Sequence, residues 1–301
     1  MSEIKNAGKF KTGLRKQFTI NKEVSLQGRG LHSGEKVEII LKPLPAGSGI
    51  NFDRSQGDKS EWVKASPENA ISTRRGVELG CSDRQNGRSD DEDCNSFMTV
   101  EHLMAACAGL KIDNLLVEVR GPEIPVGDGS AIHLVELLQR AGRRALEEQI
   151  EYFEPADIIK VSEGESRIYI RPASRTSYHY KLDYDQDPPG QQHVSFFPGE
   201  DSFSEKIAPA RTFILQKEIE NIRKSGLGRG GSRDNVVVYG EEGPKSDLRF
   251  VDEAARHKLL DLLGDLFMAG HLLAEISAVK SGHSLHQRAA EKISLLQQKE
   301  D

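Results

Sequence analysis

The stretch RHKLLDLLGDLFMAGH, residues 256–271, has the leucine spacing of a long amphipathic helix with a sharply divided surface. At about 100° per residue, His257, Asp261 and Asp265 fall within an arc of roughly 80°, and Lys258 lies at its edge. The opposite side carries Leu259, Leu260, Leu263, Leu266 and Phe267. The polar side has two interpretations: a solvated face with a His–Asp pair one turn apart, or two ligands for one divalent metal ion. Two ligands make a weak site, so a metal centre needs a third from elsewhere.

Composition places the chain among globular proteins with a substantial core. Its 301 residues are 37% hydrophobic and 29% charged, with a mean hydropathy of -0.53. No apolar run approaches the roughly 20 residues that a transmembrane segment requires. The formal net charge of -6 gives no general attraction to nucleic acid or to anionic membranes. We therefore expect a protein that acts on a small molecule and binds no nucleic acid. A monomer is expected as well.

Cysteine usage and the polar segments bear on location and order. Cys81, Cys94 and Cys107 show no CxxC spacing, which favours a reduced, cytoplasmic protein over a disulfide scaffold. The basic N-terminus, residues 1–16, lacks the apolar segment of a signal peptide, and we expect a disordered leader. Residues 82–95 are almost wholly polar and acidic, which predicts a surface loop without function.

The order of elements is similar in the two halves of the chain. The first half predicts short strands over 17–52, a helix from Thr99 to Gly109, a strand at 112–121 and a helix over 130–149. The second predicts strands at 157–162, 167–171 and 178–183, a helix at 213–224, a strand at 235–240, a helix at 252–270, a strand at 274–282 and a helix from 284. This repetition predicts an α+β fold of two units with similar topology, residues 17–150 and 151–301.

Two further segments could complete a metal site. TVEHL, residues 99–103, sets Glu101 and His102 side by side on a helix, so that one could bind a metal ion while the other acts as a base. KSGHSL, residues 280–285, presents His283 after a glycine bend, where a charged imidazole could stabilise an oxyanion and protonate a leaving amine. Each motif alone is more often structural.

Two other motifs have ordinary structural explanations. APARTF, residues 208–213, places Thr212 and Phe213 at an expected strand-to-helix turn, where an N-cap threonine and a core phenylalanine would suffice. GLGRGGS, residues 226–232, could bind phosphate through its amides. It lacks the GxxxxGK[ST] pattern, so a flexible turn is the better interpretation.

Seven segments, taken in order, resemble one family: the zinc-dependent UDP-3-O-acyl-N-acetylglucosamine deacetylases of lipid A biosynthesis. The segments are GRGLHSGEKVEIILKP, TVEHLMAACAGLKIDNLLVEV, PEIPVGDGSA, APARTF, GLGRGGSRDNVVV, LRFVDEAARHKLLDLLGDLFMAGH and KSGHSL. They cover most of residues 18–290. The resemblance implies two α+β domains, each layering helices on a sheet with small inserts, and an active site between them. It also implies the cytoplasm of a Gram-negative bacterium.

The resemblance implies a metal centre and a base. His102, His257 and Asp261 would bind Zn²⁺, with Fe²⁺ as the alternative metal. Glu101 would be the general base that takes a proton from the attacking water. The reaction would remove the N-acetyl group of UDP-3-O-acyl-N-acetylglucosamine, giving the free amine and acetate in the committed step of lipid A synthesis.

The resemblance also assigns the groups that stabilise charge during the reaction. His283 would be the cationic partner, with Asp265 supporting it, and Thr212 would help to hold the oxyanion. Either Glu101 or His283 would protonate the leaving amine. The residues implied to contact the substrate are Leu31, His32, Phe213, Lys258, Lys280 and Gly282.

The family threads the acyl chain of its substrate through an apolar passage, which corresponds here to roughly residues 213–238. Its apolar candidates are Phe213, Ile214, Leu215, Ile219, Ile222, Leu227, Val236 and Val238. The chain departs from the family pattern in its longer N-terminus, its long acidic loop, and Arg75 and Ile214, which stand where an apolar residue and a glycine are common.

Two alternatives belong to other classes of protein. One is a noncatalytic homologue that binds a nucleotide-sugar, and the other is a different metal-dependent amidohydrolase. The first conflicts with the presence of Glu101, His102, His257, Asp261 and His283 together. The second differs from the deacetylase in its substrate.

Overall fold

The computed structural model describes residues 7–54, 62–80, 96–185 and 187–300. Helices and sheets are mixed along these ranges, as the expected α+β class requires. The acidic loop expected at 82–95 lies outside the described residues, as do Cys81 and Cys94. No helix in the described ranges has the length and apolarity needed to cross a membrane.

The elements are numbered in chain order. The strands up to the middle of the chain are β1 Gly8–Lys11, β2 Lys16–Ile20, β3 Val24–Arg29, β4 Lys36–Pro43, β5 Ile50–Asp53, β6 Val63–Lys64, β7 Ala70–Ser72, β8 Glu78–Gly80, β9 Ser96–Met98, β10 Leu115–Arg120, β11 Arg143–Gln149 and β12 Tyr152–Pro155. The later strands are β13 Ile159–Glu163, β14 Ser166–Pro172, β15 Ser177–Asp183, β16 Gln191–Phe196, β17 Phe213–Leu215, β18 Val237–Gly240, β19 Gly243–Pro244, β20 His271–Leu272 and β21 Ala274–Val279. The helices are α1 Glu101–Leu110, α2 Ile132–Ala141, α3 Phe203–Lys206, α4 Ile219–Lys224, α5 Glu253–Phe267 and α6 His283–Gln297. Short 3₁₀ turns occupy Pro67–Asn69 and Gln216–Glu218.

Two five-stranded sheets share one topology. The first has the order β3-β4-β10-β5-β6 and the second the order β13-β14-β21-β15-β16. In each, the strand that comes last in the chain is central, antiparallel to one neighbour and parallel to the other. The equal order and directions support the expected pair of similar units, while the division at residue 150 stays a prediction.

The helices before the two central strands, α1 and α5, pack against each other and form the middle of the molecule. A single hydrophobic core runs through both sheets and these helices, and includes Leu103, Val117, Leu260 and Ile276. Gly264 permits the close approach, because a Cβ there would lie 2.1 Å from the carbonyl oxygen of Glu101. The two helices therefore have a fixed position relative to each other.

Smaller sheets surround this arrangement. Strands β7, β8 and β9 form one beside the first half, and β17, β18 and β19 form another in the second. A third, β1-β12-β20, joins the N-terminus to the segment between the two large sheets and to the end of α5. Strands β2 and β11 pair separately.

The helix expected over 130–149 is correct only for its first part. The predicted stripe of Leu134, Leu137, Leu138 and Ala141 is buried in α2. Gly142, with φ of +69°, ends the helix, and the following residues form β11 against β2. Pairing with a neighbouring strand overrode a local sequence of good helix formers.

Three other expectations were wrong. The N-terminal leader is not disordered throughout, because β1 pairs with β12. The helix expected at 213–224 begins only at Ile219, since Phe213–Leu215 is a strand parallel to β18. Thr212 and Phe213 therefore lie at the start of a strand and not at a strand-to-helix turn. Strand β16 lies in a Pro-, Gly- and Gln-rich stretch for which no element was predicted.

Candidate active site

The facing surfaces of α1 and α5 carry the polar residues singled out in the sequence. Glu101 and His102 lie in the first turn of α1, and His257, Asp261 and Asp265 lie on successive turns of α5. All five are buried, with exposed fractions of 5% or less. The interpretation of the α5 polar side as a solvated face is therefore wrong.

Three of these side chains have the arrangement of a metal site. The ligand atoms of His102, His257 and Asp261 all lie within 4.8 Å of one another. Asp261 Oδ1 is 3.5 Å from His257 Nε2 and 3.8 Å from His102 Nε2, which is longer than a hydrogen bond. Ligands at 2.0–2.2 Å from a tetrahedral zinc ion are separated by roughly 3.4 Å. The observed spacings are close to that separation.

The protonation of this set also suits a cation. Asp261 Oδ1 is buried and has no hydrogen-bond partner among the described residues. Burial lowers the pKa of His102 to about 3, and burial likewise lowers the pKa of His257, so both imidazoles are neutral. His257 Nδ1 donates to the carbonyl of Ala210 at 3.2 Å, which leaves Nε2 unprotonated. Two neutral imidazoles and one carboxylate are a donor set that zinc accepts.

Glu101 is held beside this set by the main chain of the first half. Its Oε2 accepts a hydrogen bond from the Val77 amide at 2.9 Å, and Gly76 packs against its Oε1. Burial raises the pKa of Glu101 to about 7, and the charge of nearby His283 opposes this rise. A carboxyl with a pKa near neutrality can both accept and return a proton.

His283 is a cation held by carboxylates. Its Nδ1 lies 2.8 Å from Asp265 Oδ2, and its Nε2 lies 3.6 Å from Asp261 Oδ2. Burial would lower the pKa of His283, but Asp265 and Asp261 together raise it to about 9. The imidazole is therefore charged at neutral pH on one side of the candidate metal site.

Lys258 and Phe213 lie beside Asp261 and His257. Lys258 Nζ lies 2.8 Å from Asp261 Oδ2 and 6.0 Å from the centre of the Phe213 ring. The Phe213 ring also meets His257 edge to face, at 6.5 Å between centroids. Burial would lower the pKa of Lys258, but the charge of Asp261 raises it above its usual value.

The other residues expected at the site lie around it. The Thr212 amide donates to the carbonyl of Gly129, and its own carbonyl accepts from Val237. The carbonyls of Leu31 and His32 accept from Gly230 and Arg229, which joins the GLHSG loop to the GLGRGGS segment. Gly282 is the N-cap of α6. Lys280 turns away to an ion pair with the exposed Glu165 at 2.7 Å.

Residues with positive φ precede both α1, which carries Glu101 and His102, and the turn that carries His283. Thr99, just before α1, has φ of +60°, and Lys280, just before the His283 turn, has φ of +52°. Such values are uncommon for residues other than glycine, and they cluster at functional sites. The Thr99 hydroxyl donates to the buried Glu123 at 2.8 Å, which holds this end of α1.

Sequence reasoning missed several residues that hold the site. Glu253 binds the main chain and guanidinium of Arg211, and so fixes the segment that presents the Ala210 carbonyl to His257. Gly264 allows α1 to approach α5. A glycine within a leucine-rich helix is a signal of such an approach, because it costs about 1 kcal/mol relative to alanine.

The chain is similar to known proteins over most of its length. The LpxC family model, described as UDP-3-O-acyl N-acetylglycosamine deacetylase, matches residues 17–295. Curated proteins named UDP-3-O-acyl-N-acetylglucosamine deacetylase are similar over nearly the full length. The protein of Syntrophotalea carbinolica is 38% identical over 92% of this chain and 87% of its own. The protein of Acidithiobacillus ferrooxidans is 35% identical over 94% and 91%, and that of a Nostoc species 36% identical over 93% and 99%.

Proposed function

The chain belongs to the UDP-3-O-acyl-N-acetylglucosamine deacetylase family, and on that premise we propose that it removes the N-acetyl group of UDP-3-O-acyl-N-acetylglucosamine. The products are the free amine and acetate, and the reaction is a step of lipid A biosynthesis. The observation that carries the proposal is the meeting of the buried Glu101, His102, His257 and Asp261 between α1 and α5, with His283 of α6 beside Asp261.

His102, His257 and Asp261 hold the metal ion, which we propose to be Zn²⁺. Three observations support this assignment. The ligand atoms lie within 4.8 Å of one another, both imidazoles are neutral, and Asp261 Oδ1 has no hydrogen-bond partner among the described residues. When bound, the ion supplies Lewis acidity, which polarises a carbonyl and makes water more acidic. The Ala210 carbonyl keeps His257 in the tautomer that binds through Nε2.

Glu101 is the general base. Its pKa of about 7 lets it accept the proton of the attacking water at neutral pH, and the Val77 amide holds its carboxylate in place. The same carboxyl can pass the proton to the departing amine, and the imidazolium of His283 is the other candidate donor. Glu101 is buried, and the side chain of His283 is only 11% exposed.

The negative charge that develops on the acetamide oxygen is stabilised by His283 and Thr212. His283 carries its positive charge at neutral pH because Asp265 and Asp261 face it. Preorganised donors of this kind contribute more in a buried site than in water. Lys258, beside Phe213, is placed to bind an anionic part of the substrate.

The small sheet of β17, β18 and β19 with α4 forms the apolar passage for the acyl chain. Of its eight apolar candidates, Leu215 is buried, and the other seven are partly exposed and could contact a ligand. Ile214 pairs with Val238 on neighbouring strands, so their side chains share one face. Val237 and Tyr239 point to the other face and are buried.

Incubation of the purified protein with acylated UDP-N-acetylglucosamine tests the proposal. We expect acetate release that stops when the metal is removed by a chelator and returns on adding Zn²⁺. Glu101→Ala should keep one bound metal ion, measured by elemental analysis, while turnover falls by about 10²- to 10⁴-fold.

Two results would overturn parts of this proposal. Binding of the nucleotide-sugar without acetate release would indicate a noncatalytic homologue. Full activity in Glu101→Ala would remove Glu101 from the role of base. Glu101 and His102 are adjacent on one helical turn, so the two alanine variants are matched. We expect His102→Ala to lose the bound metal and Glu101→Ala to keep it, which distinguishes the ligand from the base.

A further inference from the structure

Behind His283, one oxygen of Asp265 holds two imidazoles. His283 Nδ1 lies 2.8 Å and His286 Nδ1 lies 2.7 Å from Asp265 Oδ2. Asp265 Oδ1 is buried without a hydrogen-bond partner among the described residues. Both Asp265 and His286 are completely buried. The carboxylate is thus fixed through the oxygen that faces His283.

The hydrogen-bond partners determine where the protons are. A carboxylate only accepts, so each Nδ1 atom that faces Asp265 carries a proton. On the other side of the ring, Ser281 Oγ lies 2.9 Å from His286 Nε2 and donates to it. His286 is therefore a neutral imidazole with both nitrogens satisfied, and burial lowers its pKa in agreement with that form.

The same chain of hydrogen bonds has the connectivity of a nucleophilic catalytic site, but burial excludes that function. Ser281, His286 and Asp265 are connected in the order of a Ser–His–Asp nucleophilic triad. Ser281 is only 4% exposed and His286 is 0% exposed. A substrate carbonyl has no access to the Ser281 hydroxyl. These hydrogen bonds therefore orient Asp265 and do not serve nucleophilic attack.

We propose that His286 is a positioning residue of the deacetylation site, which orients Asp265 so that it holds His283 towards the metal ligands. The inference rests on the proposed function. His286 lies three residues after His283 on α6, and Ser281 lies two residues before it. The donor that fixes Asp265 therefore belongs to the same helical turn that carries His283.

Two substitutions at one position test the proposal. His286→Leu removes the donor, whereas His286→Asn keeps an amide N–H near the place of Nδ1. We expect kcat of His286→Leu to fall about tenfold, the lower end of the effect of losing an outer hydrogen-bond partner, with KM and metal content unchanged. His286→Asn should recover most of that loss. Ser281→Ala should lower kcat by less, in the same direction.

A measurement that does not depend on turnover complements the kinetics. In ¹⁵N-histidine NMR spectra, the Nδ1 proton of His283 should exchange faster with water in His286→Leu than in the unmodified protein, and at the original rate in His286→Asn. If the unmodified protein had no deacetylase activity, the proposed function would be wrong. The exchange rate of the His283 Nδ1 proton would still test whether His286 positions Asp265 and His283.

Three outcomes would overturn the inference. The first is an unchanged kcat and an unchanged His283 resonance in His286→Leu. The second is an equal loss in the leucine and asparagine variants, since the hydrogen-bond donor would then be irrelevant. The third is loss of bound metal in His286→Leu, which would mean that His286 supports the fold of the site and not the orientation of His283.

Discussion

At the scale of single residues, burial and neighbouring charges give chemically different groups different protonation states. Burial makes Glu101 harder to ionise and makes His102 neutral, whereas two carboxylates keep the slightly exposed His283 charged. A base, a neutral ligand and a cation thus coexist within one cluster at neutral pH. The result follows from which residues face each other across α1 and α5.

These protonation states predict a bell-shaped dependence of kcat/KM on pH. The ascending limb follows the loss of the Glu101 proton, at pH 7 or below, because a bound divalent cation favours the carboxylate. The descending limb follows the loss of the His283 proton, at pH 9 or below, because the same cation disfavours the charged imidazole. Initial rates with the acylated UDP-sugar, measured from about pH 5 to about pH 10, provide the measurement.

A variant of Asp265 identifies the descending limb. Asp265→Asn removes a negative charge that raises the pKa of His283, so the descending limb should move to lower pH. The ascending limb should move less and also downward, because the charge of Asp265 raises the pKa of Glu101 too. A descending limb that stayed in place would assign it to a group other than His283.

At the scale of elements, the site depends on the crossing of α1 and α5. Gly264→Ala would place a Cβ 2.1 Å from the Glu101 carbonyl, so the helices must separate and shift the metal ligands. Helix propensity alone predicts that this change stabilises α5 by about 1 kcal/mol. We expect the opposite sign, a lower melting temperature, together with weaker zinc binding in a chelator competition. A melting temperature at or above that of the unmodified protein would contradict the close contact.

The segment that aims His257 gives a second prediction at this scale. Glu253 accepts from the amide and Nε of Arg211 at 3.0 and 2.8 Å, and from the amide of Arg249 at 2.7 Å. Glu253→Gln turns part of this acceptor into a donor, so the Ala210 carbonyl loosens from His257. We expect zinc affinity to fall about tenfold, measured by chelator competition.

A matched control for that variant lies on α4. Glu220 is an exposed glutamate whose only recorded ion pair among the described residues, with Lys224, spans one helical turn. Glu220→Gln should leave zinc affinity unchanged. An equal loss of affinity in both variants would show that net charge, and not the Arg211 contact, determines binding.

The elements also show how far the sequence could predict the fold. The periodic helices α1, α5 and α6 and the strands β10 and β21 were predicted close to their observed positions. The prediction of a helix at 143–149 was wrong, because these residues form a strand through pairing with β2. The burial of Asp261 and Asp265 could not be predicted from α5 alone, because α1 and the His283 turn cover them. His286 gave only a weak signal, its spacing of one helical turn from His283.

At the scale of the whole molecule, the N-terminal strand joins parts that are distant in sequence. β1 pairs with β12, Phe10 packs on Phe153 at 5.6 Å, and the Ala7 amide donates to Glu300 at 2.7 Å. This strand lies before the range that matches the family, residues 17–295. It therefore adds contacts to the common fold without contributing to the site.

Deletion of residues 1–11 tests this separation. The free energy of unfolding should fall by about 2 kcal/mol, from the lost burial of Phe10 and its aromatic contact. kcat should not change. Denaturant unfolding and steady-state kinetics provide the two measurements, and Lys9→Ala, which removes only an exposed ion pair with Glu154, is the control. A loss of kcat greater than the loss of folded protein would connect β1 to the active site.

The shared order of the two five-stranded sheets extends to the two histidines of the site. His102 and His257 each lie seven residues before a glycine, Gly109 and Gly264, on the helices that precede the two central strands. The correspondence ends one helical turn later, because Asp261 follows His257 by four residues whereas Ala106 follows His102 by four. The first half of the chain therefore supplies one of the three grouped side chains and the second half supplies two, so neither half holds the set alone.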